Sequence, residues 1–132
     1  MTLIFCLDKE RGVAFGGRRQ SRDRELCADI LKDCVDTHLA MSAYSAKLFE
    51  SADVLILESP TAECDAYFLE LKNPADAIHL ANRVVIYNWN RHYPSDIRFD
   101  ADLSSLGFAL TKTQDISGYS HEKITKEIYE RL

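Results

Sequence analysis

Thr2–Leu7 reads TLIFCL, and the architecture of the chain follows from how this stretch and its sequel are taken. β-branched and aromatic residues without a charge mark a central strand. Asp8–Gly12 (DKERG) then supplies turn chemistry, with Gly12 free to take positive φ, and Val13–Phe15 can return as a short second strand. The reading is an N-terminal hairpin that ends at Gly16–Gly17. Ser21 stands where an N-cap would, ahead of a helix over about Arg22–Asp36. Along it Leu26, Ile30, Leu31, Cys34 and Val35 recur at three- and four-residue intervals on one face, and Asp23, Asp29, Lys32, Asp33 and Asp36 take the solvent side.

Further along, His38–Tyr44 reads as a strand, and Asp53–Leu57 as a buried strand or the apolar turn of a short helix that Pro60 ends. Tyr67–Leu71 reads as a strand closed by Asn73–Pro74, with Pro74 opening a short helix to about Ala81. Arg83–Asn88 is the clearest strand of the second half, followed by shorter ones at Asp96–Phe99 and Phe108–Thr113. Ser120 caps an expected terminal helix whose Ile124, Ile128 and Leu132 share a face. The expected fold is α+β: one domain over residues 1–132, a mixed or antiparallel sheet with an N-terminal hairpin, and two to three helices.

The 132 residues are 46% apolar and 28% charged, ordinary values for a globular domain with a core of its own. No apolar run approaches the ~20 residues of a membrane span, and Thr2–Leu7 is too short for a secretory signal, so a cytoplasmic location with no membrane partner is expected. Cys6, Cys27, Cys34 and Cys64 lack the spacing of a zinc knuckle and read as small core residues; no metal and no cofactor are expected.

Charge is unevenly spread. The chain carries a net −5, yet Arg18, Arg19, Arg22 and Arg24 crowd one turn with only Asp23 against them. Guanidinium forks beside helix-start amides suit a phosphate or carboxylate, although the motif is neither a phosphate-binding P-loop nor a dinucleotide fingerprint. The bland reading is that these arginines pair with surface acids. A second cluster, Asn88–Asp96 (NWNRHYPSD), follows a strong strand. Trp89 there could stack a planar ligand, and His92 could act as an acid–base group oriented by Asp96. Equally, Trp89 could be a core anchor and Pro94 a turn residue. Tyr119–Glu122 (YSHE) reads as a helix cap followed by solvated first-turn residues, because adjacent Ser and His in a helix cannot make a nucleophile–base bond.

Four segments, GGRRQSRDRE (Gly16–Glu25), YSAKLF (Tyr44–Phe49), WNRHYPSD (Trp89–Asp96) and SHEKITKEIY (Ser120–Tyr129), resemble a family of small proteins from Gram-positive gut bacteria that often carry the label ribonuclease Z. True ribonuclease Z builds a dinuclear zinc site on His-x-His-x-Asp-His, and the four scattered histidines here do not form it, so the resemblance implies no zinc nuclease. The order of Arg83–Asn88, a Tyr-Pro-x-Asp turn at Tyr93–Asp96, Phe108–Thr113 and the C-terminal tail is similar to the end of dihydrofolate reductase, and Thr2–Phe15 with the following helix is similar to its start. The Gly-Gly pair that those reductases use for the nicotinamide cofactor is missing from the middle of this chain, so the resemblance implies a fold rather than a catalyst.

Three functions fit. The first is a binding or regulatory protein holding a small anionic ligand such as a phosphate or nucleotide, or a protein partner's acidic group, with Gly17, Arg18, Arg19, Ser21, Arg22, Trp89 and Arg91 as the ligand-binding set. The second is a small nucleotide- or RNA-processing enzyme with His92 and Asp96 as its catalytic candidates. The third is an acidic immunity- or antitoxin-like interaction protein that uses the acidic remainder of the surface. The overall acidity argues against non-specific nucleic-acid binding. Catalysis and oligomeric state stay open.

Overall fold

The computed structural model describes residues 1–132. Ten strands and two helices are present: β1 (Thr2–Leu7), β2 (Gly12–Phe15), β3 (Arg18–Arg19), α1 (Arg24–Asp33), β4 (Leu39–Met41), α2 (Ala43–Ala46), β5 (Leu55–Ile56), β6 (Ala66–Phe68), β7 (Arg83–Asn88), β8 (Ile97–Arg98), β9 (Phe108–Ile116) and β10 (Ile124–Arg131). Three 3-10 turns complete the chain: Lys47–Phe49 directly after α2, then Pro74–Asp76 and Ile78–Leu80. The fold is α+β.

TLIFCL is the centre of a seven-stranded mixed sheet in the order β5-β4-β6-β1-β7-β10-β9. β1 runs parallel to β6 on one side and to β7 on the other, while β10 is antiparallel to both β7 and β9. Both faces of β1 are buried, which is why its sequence shows no polar alternation. Leu3, Phe5 and Leu7 join Val84, Ile86, Phe99 and Phe108 in one core, where Phe5 meets Phe99 edge-on at 5.0 Å between ring centroids. Ile4 faces the opposite core with Leu26, Ile30, Met41, Phe68, Tyr87 and Trp89, and α1 covers that side.

The expected hairpin is displaced by one strand. β2 leaves the main sheet and pairs antiparallel with β3 and β8 in a second sheet of three strands, so the hairpin is β2–β3 and not β1–β2. Asp8 forces the departure: its Oδ1 accepts from Glu10 N (2.9 Å) and Gly12 N (2.7 Å), and its Oδ2 accepts from Tyr93 N (3.0 Å). The new hairpin turns at Gly16 and Gly17, both at positive φ (60° and 72°), the combination that a two-residue turn matching strand twist requires.

Other elements differ from expectation. His38–Tyr44 is a strand only as far as Met41, because Ser42 caps α2 by accepting from Ser45 N at 3.2 Å. The segment after Pro74 makes two 3-10 turns in place of a helix. The C-terminal segment is the long strand β10, not a helix. Its inward side chains alternate as Ile124, Lys126 and Ile128, and a spacing of four between the isoleucines satisfies a strand as well as a helix. Lys126 disguised the alternation: it is buried beneath α1, 2.7 Å from Asp29 and paired also with Asp33, while Tyr87 donates its hydroxyl to Asp29 at 2.6 Å. No helix is long and apolar enough to cross a membrane.

Candidate functional site

The two sequence clusters meet. β2 pairs with β8 just beyond the Asn88–Asp96 loop, Gln20 Nε2 donates to Pro94 O at 3.2 Å, and Gly16 N donates to Asp96 Oδ2 at 3.1 Å. Both lie at the C-terminal ends of β6, β1 and β7. In an open sheet with parallel strands, the crevice at such ends, where neighbouring strands connect to opposite faces, is the customary ligand site.

Here the chain fills that crevice itself. Cys6, Val13, Arg19, Gln20, Ser21, Leu69, Glu70 and Trp89 leave about 10 Å³, room for about one water. Arg19 and Glu70 occupy its centre: Nε and Nη2 of Arg19 donate to Oε2 and Oε1 of Glu70 at 2.8 and 3.0 Å, and Ser45 Oγ donates to Oε1 at 2.7 Å. The Glu70 side chain is only 8% exposed, and Tyr44 lies beneath the guanidinium at 4.3 Å. Arg19 therefore follows the bland reading, a partnered structural cation, and is not free for a ligand.

Beside the crevice stands a buried pair that sequence reasoning missed. Asp23, not Ser21, caps α1, accepting at Oδ1 from Glu25 N (2.8 Å) and Leu26 N (3.4 Å). The same carboxylate receives Tyr119 N, Ser120 N and His121 N at 3.0, 2.8 and 3.1 Å. It lies 3.0 Å from His121 Nδ1, with both side chains at most 2% exposed. Burial raises the Asp23 carboxyl pKa, but the donors from Tyr119, His121, Ser120 and Glu25 outweigh it and hold the group well below the usual carboxylate range. Gly118 allows the loop to wrap this closely, since a Cβ there would fall 2.8 Å from the Asp23 carboxylate and onto the His121 carbonyl. His121 is thus a core residue stacked on Trp89 at 4.6 Å, the reverse of the solvated position expected for it.

On the other side of the ring, His121 Nε2 faces Ser21 Oγ at 3.2 Å and Tyr93 OH at 2.8 Å. The outline resembles a nucleophile–base–acid relay, but Tyr93 OH lies nearer to Nε2 than Ser21 Oγ does. The crevice beside Ser21 has no space for an acyl substrate either. The arrangement is a latch that ties the 117–123 loop to the start of α1.

On the outer side of that latch opens a groove of about 430 Å³, lined by Arg22, Asp23, Arg24, Cys27, Lys47, Leu48, Tyr119 and Ser120. Arg24 stacks on Tyr119 at 4.1 Å, and none of Arg22, Arg24 and Lys47 makes an ion pair. Arg22 and Arg24 share the groove from either side of the cap Asp23, Arg22 outside any strand or helix and Arg24 as the first helical residue. The helix-start amides expected to serve an anion are taken by Asp23, so three side-chain cations supply the positive field. Cys27 contributes a wall and not a nucleophile: burial, with Glu70's charge adding, pushes its thiol up to about 11.

The remaining sequence candidates disperse. Gly17 is the exposed hairpin tip, and Arg18 is exposed on β3 away from the groove. Trp89 is 3% exposed and is the core anchor of the bland reading. Arg91 reaches only the Ser120 carbonyl, at 3.5 Å. His92 is 65% exposed and lies 3.5 Å from Glu10, while Asp96 accepts from Gly16, so the two do not form an acid–base pair. Lys47 and Tyr119, two of the groove's principal side chains, were not singled out from sequence as ligand groups.

No family model and no curated protein matches the chain. Among solved structures it is similar to dihydrofolate reductase from Enterococcus faecalis, determined in complex with NADP(H) and RAB-propyl. The TM-score is 0.69 and the identity 9%, over 98% of this chain and 95% of that one. At that identity the likeness is one of fold, and it establishes the dihydrofolate reductase-like architecture of this chain.

Proposed function

We propose that the protein binds a small phosphorylated or polycarboxylate ligand in the groove between α1 and α2, with Arg22, Arg24 and Lys47 as its cation set. One observation carries this reading: three cations, from the segment before α1, from α1 itself and from the turn after α2, line one groove without an ion pair, and the groove's one carboxylate, Asp23, is engaged by backbone amides and His121, on a chain whose net charge is −5. Like charges gathered in one groove repel one another, and an anion would relieve that repulsion. Leu48, Cys27 and the Tyr119 ring give the groove an apolar side suited to a flat organic portion.

The structural neighbour holds NADP(H). The crevice of this chain does not fit a nicotinamide ring, because the Arg19–Glu70 pair and Cys6 take the space. The phosphate-seeking chemistry sits outside it, so a dinucleotide-dependent reaction is not part of the proposal. Nor does the geometry favour the His92 enzyme reading, since this histidine is exposed beside Glu10 and lines neither the groove nor the crevice.

Inorganic pyrophosphate is the probe. Titration by calorimetry should give a saturable site, with Arg22→Gln and Lys47→Gln each weakening it by about tenfold, as loss of one charge-assisted contact predicts. Arg18→Gln, outside the groove, should bind as wild type does. Absence of saturable binding, or equal weakening by the Arg18 variant, would overturn the assignment.

A further inference from the structure

Arg22 reaches the groove on a strap, the segment from β3 to the cap Asp23 that bends at Gln20, while Lys47 reaches it from the end of α2. These two elements touch through one cluster. The backbone N–H of Arg19 donates to Tyr44 OH at 3.1 Å, its Nη2 to the Tyr44 carbonyl at 3.4 Å, and its guanidinium is clamped on Glu70, which Ser45 also holds. Arg19 stands three residues before Arg22, and Ser45 two before Lys47. The strap is tied to the 117–123 loop by Ser120 Oγ, which donates to Arg22 O at 3.1 Å, and to Pro94 by Gln20, so the Arg19, Tyr44 and Glu70 contacts are the hydrogen bonds that join it to α2.

Resting on the groove as an anion site, we propose that Arg19, Glu70 and Tyr44 are positioning residues that set the distance between Arg22 and Lys47, and that the internal ion pair in the crevice thereby pre-organises the cations of the groove. Preorganisation raises affinity by removing the ordering cost at the moment of binding. It acts through geometry and not through charge, and Glu70 separates the two. Glu70's negative charge is felt at Cys27 in the groove wall, so removing it would tighten anion binding if only Coulomb attraction mattered. Positioning gives the opposite sign.

The test is pyrophosphate titration of Glu70→Gln and Tyr44→Phe, with folding of each variant checked by circular dichroism. Both should bind about tenfold more weakly than wild type, within the range that coupled sites show. The salt dependence of Kd should keep its wild-type slope, because all three groove cations remain, whereas Arg22→Gln should flatten it. Tyr44→Phe removes one hydrogen bond without touching any charge, so it decides the matter should Glu70→Gln fail to fold. Binding as tight as wild type or tighter in the folded variants, with Arg22→Gln and Lys47→Gln still weakened, would overturn the positioning role and leave the groove standing. Absence of saturable pyrophosphate binding by the wild-type protein would overturn both.

Discussion

Asp23 shows how much one buried carboxylate can organise. It accepts from two amides of α1, three of the 117–123 loop and the His121 ring, and so joins segments 98 residues apart. Asn would keep one acceptor oxygen and place an amide donor against those N–H groups. Asp23→Asn should therefore cost on the order of 3 kcal/mol at pH 7, the scale of several buried donors left short of a partner. The sign of the pH effect follows from the depressed carboxyl. A group whose folded pKa lies below its unfolded value of about 3.9 contributes fully above that value and loses its contribution as pH falls toward the folded one. Urea denaturation at pH 7 and pH 3 should show the gap between wild type and Asp23→Asn narrowing in acid. An equal gap at both would mean that the ionised carboxylate is not what holds the loop.

At the scale of elements, β10 is instructive because its one inward charge is the reason it stays put. Lys126 is 3% exposed, held by Asp29 and Asp33 of α1 and lying 5.7 Å from the centre of the Tyr87 ring. Burial alone would lower its pKa, but the two aspartates outweigh burial and raise it. Its contribution is thus complete at neutral pH and is lost only as alkaline pH rises through the folded value. Lys126→Met should destabilise by about 2 kcal/mol, since Asp29 keeps the Tyr87 hydroxyl but loses its counter-charge. The double variant Lys126→Met, Asp29→Asn should recover part of that loss in denaturant melts, and no recovery would mean that the lysine stem, not the charge pair, holds α1 to the sheet. The same residue explains why this strand was illegible in the sequence. A lysine at an inward position breaks the two-residue pattern, and what remained, isoleucines four apart, imitated a helix. β1 and β7 were legible as unbroken β-branched and aromatic runs, and α1 by its three- and four-residue apolar period. The groove was half legible for the same reason: Arg22 and Arg24 advertise themselves in one run, whereas Lys47 and Tyr119 join them only through tertiary packing. The Asp23–His121 pair gave no local signal at all.

Over the whole molecule, one sheet separates two cores, and every proposal above assumes that the two report on a single structure. Ile86 of β7 lies in the core with Phe5 and Phe99, while Ile30 of α1 lies in the opposite core with Trp89, the only tryptophan. Each is at most 2% exposed, and Ile→Val at either should cost about 1 kcal/mol. Because the two residues belong to separate cores on opposite faces of the sheet, the double variant should cost about 2 kcal/mol, with coupling below about 0.5. More tellingly, Trp89 fluorescence should register Ile86→Val as fully as Ile30→Val, at the same denaturant midpoint that circular dichroism gives. Were Ile86→Val to move the dichroism transition and leave the Trp89 transition in place, the two faces would be unfolding independently. The loops that carry Arg22, Lys47 and Tyr119 would then have to be understood from the α1 side alone.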